Sequence, residues 1–280
     1  MAVRRTGFYF RCESVYLHRL MGDFRFRQFT VHNDRSALKV GTDGVLLGAL
    51  ADIPGVCARV LDIGTGTGVI AIMLAQRLSE ALHGRLPGGV RITGIDVDGP
   101  SAAEAAANFA ESPWSGNLEA VECPLSGFGD DGEFDLIVSN PPFYDGSLKN
   151  PDPRQSVARH ADSLSWRDIL AFASKRLSAD GRLCLILPSA DERALLRAAA
   201  VSGFRALRLL RVFSTERKPA RRIVVSLARA ASAGCPLRDG AGVQGTAESV
   251  AETLLLCDPT APDGRTDAYR ALLEPYLTHI

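Results

Sequence analysis

The stretch VLDIGTGTGVIA, residues 60–71, decides the fold. Its apolar start predicts a short buried strand, and the apolar residues that follow the glycines predict a helix. Between the two stand Gly64, Gly66 and Gly68. Glycine lets the backbone turn sharply and come close to a ligand. The stretch therefore predicts a strand, a tight glycine loop and a helix, with a ligand site at the loop.

Strands and helices alternate along most of the remaining chain. Strands are predicted at 24–31, 59–64, 90–98, 118–123, 134–140, 181–188, 204–213, 220–229 and 251–258. Helices are predicted at 42–53, 68–82, 99–112, 165–177, 189–203 and 267–277. This alternation predicts an α/β fold with a doubly wound, mostly parallel sheet. The strands at 204–213 and 220–229 follow each other directly, which predicts an antiparallel C-terminal hairpin.

The 280 residues and their 46% apolar content suit one large domain, predicted at 22–280. Residues 1–21 show no clear period and are interpreted as an N-terminal extension, either disordered or ahead of the natural start. The segment 230–249 is rich in Gly and Ala, which indicates a flexible insertion. The sequence contains no internal repeat and no apolar run of membrane-spanning length.

The distribution of charge along the chain and the spacing of the cysteines limit the classes of function that this protein can have. The formal net charge is zero, but 201–230 hold eight Lys/Arg against one acid, and 1–40 hold eight against three. Residues 231–280 hold three against seven. The two basic regions indicate a surface that binds a polyanion. The alternative is an ordinary protein surface on which the charges are distributed by chance. The six cysteines form no C-x-x-C pair, so a metal site is not expected. A cytoplasmic protein, without membrane contact and monomeric, is the expectation.

Two acids next to the glycine loop indicate the type of ligand. Asp62 precedes the glycines, where it would repel a pyrophosphate but attract the ammonium of an amino acid. Asp96 ends the next strand, where a carboxylate can accept hydrogen bonds from ribose hydroxyls. Asp98 is the alternative ribose ligand, or caps the helix that follows. Together these residues favour S-adenosylmethionine over NAD as the cofactor.

The run NPPF, residues 140–143, stands at the end of the strand 134–140. An open α/β sheet exposes its ligand crevice at this edge. The side-chain oxygen of Asn140 and the carbonyl of Pro141 can accept both hydrogens of an exocyclic amine, and Pro142 adds rigidity. Phe143 can stack on the base, with Tyr144 in reserve. These four residues, Asn140 to Phe143, are the predicted catalytic set. The alternative is a purely structural role, in which the prolines stiffen a loop and the aromatic side chain packs against the protein.

At this point the sequence resembles the class I S-adenosylmethionine-dependent methyltransferases that methylate exocyclic amines, which are marked by NPPF. A narrower resemblance is to the bacterial tRNA adenine-N6 methyltransferases that modify valine tRNA beside its anticodon. It rests on FRFRQFTVHNDRSALKVGTDGVLLGALA (24–51), RHADSLSW (159–166), ERKPARRIVV (216–225) and DAYRALLEPYL (267–277). The run KVGTDGVLLGA (39–49) is its sharpest discriminator.

The resemblance implies a seven-stranded, Rossmann-like methyltransferase sheet. It implies that the segment Lys39–Asp43 closes over the methionine end of the cofactor. Carried onto this sequence, the expected cofactor residues are Lys39, Thr42, Asp43, Asp62, Gly64, Thr65, Gly66, Gly68, Asp96, Val97 and Asn140. Many relatives read the cofactor's adenine with an acid after the strand 118–123. Here Cys123 and Pro124 occupy that place, so the backbone or Leu125 would make the contact.

The expected partner is tRNA. The candidates for RNA contact are Tyr144, Arg159, His160, Lys218, Arg221 and Arg222, with phosphate contacts setting affinity rather than sequence choice. A solvated strand edge is the alternative for the two adjacent arginines. Rival functions are methylation of a protein glutamine, of guanine-N2 in ribosomal RNA or of adenine in DNA. A non-catalytic RNA-binding protein that kept the cofactor fold is the rival from another class.

Overall fold

The structure is a computed structural model that describes residues 22–142, 164–230 and 250–278. Several sequence predictions lie outside these ranges: Phe143, Tyr144, Arg159, His160, the extension 1–21 and the insertion residues 231–249. No helix in the described ranges is both long and apolar enough to cross a membrane.

The helices and strands follow the predicted order. The helices are α1 Thr42–Leu50, α2 Val69–Ala81, α3 Gly99–Glu111, α4 Trp166–Arg176, α5 Glu192–Val201 and α6 Asp267–Leu273. The strands are β1 Phe24–Arg25, β2 Thr30–Val31, β3 Arg59–Ile63, β4 Arg91–Asp96, β5 Leu118–Glu122, β6 Phe134–Ser139, β7 Leu177–Pro188, β8 Phe204–Phe213, β9 Arg222–Arg229 and β10 Val250–Leu255. Most boundaries agree with the sequence predictions to within three residues. The exceptions are β7, which starts four residues early, and α6, which ends four residues early.

The main sheet has the strand order β10-β8-β9-β7-β6-β3-β4-β5. Strands β7, β6, β3, β4 and β5 are mutually parallel, and β9 pairs antiparallel with both β7 and β8. The predicted mostly parallel sheet with its antiparallel hairpin is confirmed. The described residues contribute eight strands rather than seven, because β10 pairs along its whole length with the edge of β8.

Helices cover both faces of this sheet, as the doubly wound prediction requires. Successive side chains of β7 alternate between two separate cores: Cys184 belongs to the first, and Leu183 and Leu185 belong to the second. Helices α1, α2, α3 and α6 pack into the first core, and α4 and α5 pack into the second. Burial on both faces explains why the central strands are continuously apolar in the sequence.

The stretch 24–31 forms a small hairpin rather than the single strand that its alternation predicts. Phe26 N donates to Phe29 O at 2.9 Å, and the two rings stack at 4.3 Å. Arg27 N then donates to Tyr276 O at 2.7 Å, and Arg27 Nε donates to Leu277 O at 2.8 Å. The hairpin is thereby bonded to the C-terminal segment, and the chain that leaves it runs toward the glycine loop.

Candidate active site

The glycine loop folds back across the end of β4. Gly64, Gly66 and Gly68 have φ values of 72°, 57° and 81°, in the left-handed region that favours glycine. Gly64 N and Thr65 N both donate to Ile95 O at 2.9 Å. These bonds fix the loop at the carboxyl edge of β3 and β4, where an open α/β sheet binds its ligands.

Asp62 lies completely buried beneath this loop. One carboxylate oxygen accepts the Thr65 hydroxyl at 2.7 Å, and the other has no partner among the described residues. Burial raises the pKa of Asp62 to about 7. The Thr65 hydrogen bond and the backbone N–H of Ala71 work against this rise, and the charge of Asp96 adds to it. A buried, half-satisfied carboxylate at this place is suited to a cationic ligand group.

Asp96 connects the tip of β4 to the glycine loop. Its Oδ2 accepts Gly66 N and its Oδ1 accepts Asp98 N, both at 2.9 Å. Burial raises the pKa of Asp96, and these backbone hydrogen bonds work against the rise. Each carboxylate oxygen has a second lone pair, so both can still accept a hydroxyl. Asp98 caps α3 by accepting Ser101 N at 3.0 Å, as the alternative interpretation of this residue predicted.

Asn140 lies beside the glycine loop. Ser139, the last residue of β6, pairs with Ile63 and donates its hydroxyl to Ile63 O at 2.7 Å. The next residues of the two strands, Asn140 and Gly64, therefore leave the sheet side by side. Asn140 Oδ1 is buried and has no hydrogen-bond partner among the described residues. Pro141 is buried and follows directly, so two adjacent acceptors stand at one sheet edge.

The segment Lys39–Asp43, which was predicted to close over the cofactor, lies at the same edge of the sheet. Its two charged side chains, Lys39 and Asp43, already bond other groups of the protein. Lys39 Nζ donates to Asp34 O at 2.7 Å, and Asp43 forms an ion pair with Arg222 at 2.8 Å. Thr42 and Asp43 are half-buried at the start of α1. Arg222 therefore joins the start of β9 to the start of α1.

The place where many relatives carry an adenine-reading acid is apolar in the structure as well. Cys123 N donates to Asp96 O at 2.9 Å, which holds the end of β5 beside the tip of β4. Cys123 and Leu125 are half-buried against the second core. Val97, the residue after Asp96, is 55% exposed. Apolar side chains thus follow the ends of both β4 and β5.

One set of residues at the site was missed by sequence reasoning. Helix α3 carries Ser101, Glu104 and Asn108, which hydrogen-bond the chain between His32 and Ala37 beside the glycine loop. The sequence predicted only an alanine-rich helix here. The spacing of three and four residues between these polar side chains was the available signal, because it places them on one helix face.

A mostly parallel sheet with a glycine loop after β3, acids beneath and beside that loop, and an Asn-Pro-Pro turn after β6 defines a class I S-adenosylmethionine-dependent methyltransferase. Comparison with known proteins agrees. The family model of the methyltransferase small domain matches residues 36–199. A solved structure titled a predicted O-methyltransferase, from Agrobacterium tumefaciens, has a TM-score of 0.57 at 19% identity, over 84% of this chain and 96% of that chain. It shares the fold.

Curated relatives are closer in sequence. A tRNA1(Val) (adenine(37)-N6)-methyltransferase from Parabacteroides distasonis is 39% identical over 206 residues, which cover 73% of this chain and 82% of the relative. A protein of the same name from Trichodesmium erythraeum is 40% identical over 208 residues, which cover 74% and 84%. This chain belongs to the methyltransferase small domain family, in the group formed by these relatives.

Proposed function

We propose that this protein transfers the methyl group of S-adenosylmethionine to the exocyclic N6 amine of an adenine in tRNA, next to the anticodon of valine tRNA. The names of the relatives support the substrate. The observation that carries the chemistry is Asn140 Oδ1, a buried acceptor without a partner among the described residues. Leaving such an acceptor unsatisfied costs about 1–3 kcal/mol, which a bound N–H donor would recover.

The residues around the glycine loop fit this cofactor. The unpartnered oxygen of Asp62 and the segment Lys39–Asp43 suit the amino-acid end, and Asp96 suits the ribose hydroxyls. Val97 and Leu125 offer apolar surface for the adenine. Glycines at 64 and 66 keep side chains out of the loop, and Thr65 and Gly68 set its turn. When bound, the cofactor supplies a methyl group on positively charged sulfur.

The protein's own contribution to the transfer is positional. The N6 lone pair is delocalised into the adenine ring, so the amine is a weak nucleophile. Asn140 Oδ1 and Pro141 O accept its two hydrogens and hold the nitrogen toward tetrahedral geometry, which frees the lone pair. With the cofactor bound, the methyl group would leave sulfur as it bonds the nitrogen held by these two acceptors, and the cationic amine would then lose one proton to water. Holding the reacting atoms in line supplies most of the rate in such a reaction.

The basic loop between β8 and β9 supports an RNA substrate. Strand β9 begins opposite Pro188, the last residue of β7, so the loop 214–221 lies at the same sheet edge as Asn140. Lys218 and Arg221 are exposed there and form no ion pair within the described ranges. Exposed, unpaired cations beside the site suit the phosphates of a tRNA. Tyr144, Arg159, His160 and the ion-paired Arg222 complete the proposed RNA-contacting set, and Phe143 is proposed to stack on the target base.

The test is methyl transfer to defined substrates. The full chain is incubated with methyl-labelled cofactor and an unmodified valine tRNA transcript, and the nucleosides are then separated. We expect label in N6-methyladenosine, and none with a transcript in which adenine 37 is replaced by guanine. Parallel incubations with ribosomal RNA, DNA and protein serve as controls. Label in a protein glutamine or in ribosomal guanine, with none in tRNA, would overturn the proposal.

A further inference from the structure

Helix α3 carries a polar face that bonds the chain leading to the cofactor site. Ser101, Glu104 and Asn108 follow one another at spacings of three and four residues, which places them on one side of a helix. All three are buried, and each bonds the segment that follows the β1–β2 hairpin. The adjacent face of the helix, with Ala102, Ala105 and Phe109, is buried in the fold, whereas the alanines opposite the polar face are exposed. The polar face is therefore buried against the segment that it bonds.

Of these three side chains, Glu104 accepts the most hydrogen bonds from the backbone of the segment. Its side chain is only 3% exposed, and its Oε1 accepts Asp34 N and Arg35 N, both at 2.7 Å. Its Oε2 accepts Ser36 N at 2.8 Å. Hydrogen bonds to an ionised carboxylate are about twice as strong as neutral ones, and three successive backbone N–H groups form a concave anion site. Within the described ranges, both carboxylate oxygens of Glu104 are thus bonded by the backbone of one short segment.

The residues 33–40, which we call the anchored loop, touch the glycine loop directly. Ser36 Oγ and Leu38 O lie 3.5 Å and 3.8 Å from where a Cβ on Gly66 would stand. The anchored loop is closed on itself by Asn33 Oδ1, which accepts Val40 N at 2.9 Å. It continues into Gly41 and α1. The position of the segment Lys39–Asp43 therefore depends on what holds the anchored loop, together with the ion pair of Asp43 with Arg222.

The neighbouring side chain of α3 extends the same connection to the glycine loop itself. Asn108 Oδ1 accepts His32 N at 2.7 Å, and its Nδ2 donates to His32 O at 3.0 Å. The same Nδ2 donates to Thr67 O at 2.8 Å, between Gly66 and Gly68. One helix face thus fixes both walls of the candidate cofactor site relative to each other.

We propose that Glu104 is a positioning residue for cofactor binding: by bonding three successive N–H groups of the anchored loop, it holds the entrance of the site in its binding-competent arrangement. The inference rests on the proposed function, since it concerns the same cofactor site. Glu104 is separated from that site by the anchored loop itself, so it acts through the backbone of 34–36 and not by contact.

The substitution Glu104→Gln tests this at nearly constant volume. The amide of Gln has an NH₂ group in place of one acceptor oxygen, and this group cannot accept a hydrogen bond from the backbone N–H groups that it faces. The substitution also removes the charge that strengthened the bonds to the remaining oxygen. If the anchored loop then occupies its competent position one tenth of the time, the apparent affinity for the cofactor falls tenfold. We therefore expect the KM for S-adenosylmethionine to rise about tenfold, with kcat at saturating cofactor within about twofold of the wild type.

The matched control is Glu111→Gln, the same change one heptad further along α3. Glu111 is exposed, and its carboxylate bonds the ring of His32 at 2.9 Å but no backbone N–H of the described residues. We expect its KM for the cofactor to stay at the wild-type value.

Hydrogen exchange without cofactor gives a second readout that does not depend on activity. The amides of 33–41 should exchange at least about tenfold faster in Glu104→Gln than in the wild type or the control.

Each possible result of these experiments either supports or overturns the proposed role of Glu104. A lower melting temperature for Glu104→Gln with unchanged KM and unchanged exchange at 33–41 would overturn the inference, because the role would then be merely structural. If Glu104→Gln does not fold, Ser101→Ala takes its place, since Ser101 Oγ lies 3.1 Å from Ala37 N and 3.2 Å from Ser36 Oγ. Ser101→Ala should raise the KM about threefold, and an unchanged KM would overturn the inference. Failure of the wild type to methylate tRNA would instead refute the proposed function.

Discussion

Two neighbouring regions of this molecule treat their buried polar groups in opposite ways. On the polar face of α3, Glu104 and Asn108 use both of their polar atoms in hydrogen bonds to the backbone. At the carboxyl ends of β3 and β6, Asp62 and Asn140 each keep one buried oxygen without a partner among the described residues. An unsatisfied buried acceptor costs about 1–3 kcal/mol. We infer from this difference that the first region holds the structure and propose that the second binds ligands.

The largest expected effect comes from removing the unsatisfied amide. Asn140→Ala should lower kcat for methyl transfer by about 100-fold or more, the size typical for loss of one preorganised polar group. The affinity for the cofactor should stay within about threefold. The free energy of unfolding should change by less than about 1 kcal/mol, because the buried Oδ1 of Asn140 bonds none of the described residues. Single-turnover methyl transfer, cofactor titration and thermal unfolding measure the three quantities.

The satisfied asparagine on α3 provides the matched comparison. Asn108→Ala deletes hydrogen bonds to His32 and Thr67 and leaves buried backbone groups unpaired. It should destabilise the protein by about 3 kcal/mol, several times the change in Asn140→Ala. If Asn140→Ala were destabilised as much as Asn108→Ala, Asn140 would be a structural residue and the contrast between the two regions would disappear.

Gly68 lies where the two regions meet, and its replacement has the next largest effect. A Cβ at this position would stand 2.4 Å from Phe109 Cε1 of α3, in a backbone with φ of 81°. We expect Gly68→Ala to lower the free energy of unfolding by about 3 kcal/mol, measured by chemical denaturation. Gly203→Ala is the control, because its φ is 78° and nothing lies within 4 Å of its Cβ position. Equal losses in both variants would mean that the contact with Phe109 is unimportant.

The sequence allowed the sheet and the strand-end residues to be predicted, and the reasons are local. Apolar runs bounded by glycines and caps specify strands and helices, and Gly64, Asp96 and Asn140 follow directly from strand ends that must share one edge. The ends of the elements also followed local signals, such as the capping box of Ser165 with Asp168.

The anchored loop and its support on α3 could not be predicted in the same way. Glu104 and Ser36 are 68 residues apart, and only the packed fold brings them within hydrogen-bond distance. The ion pair of Asp43 with Arg222 spans 179 residues for the same reason. A helix face with polar residues every third or fourth position indicates a partner, but the identity of that partner is a property of the tertiary structure. The pairing of β10 with β8 is likewise non-local.

The unsatisfied carboxylate gives a smaller effect that depends on pH. The pKa of Asp62 is raised from 3.8 to about 7 in the folded protein. Because the folded value is the higher one, the protonated form is favoured by folding, and its stabilising contribution is complete below pH 3.8 and lost as the pH rises through about 7. We expect the wild type to lose about 2 kcal/mol of unfolding free energy between about pH 5.5 and about pH 8, relative to Asp62→Asn.

Denaturation curves of the two proteins across this range measure that difference. The other titrating groups are shared, and Asp96 is the one whose charge acts on Asp62, so the comparison measures the titration of Asp62 together with its coupling to Asp96. Curves for the wild type and Asp62→Asn that run parallel from acid to base would contradict the raised pKa and, with it, the view of Asp62 as a group kept for a cation.

The smallest expected effect extends the contrast to the basic residues beside the site. Arg221 is exposed without an ion pair in the described ranges, whereas its neighbour Arg222 is paired with Asp43 at 2.8 Å. Removing a cation that contacts phosphate lowers the dependence of log affinity on log salt by about one unit. Arg221→Ala should show this reduction for tRNA, and Arg222→Ala should show much less, because its charge is already engaged. Binding titrations at several salt concentrations measure both slopes, and a larger change for Arg222→Ala would place the RNA contact on the paired residue instead.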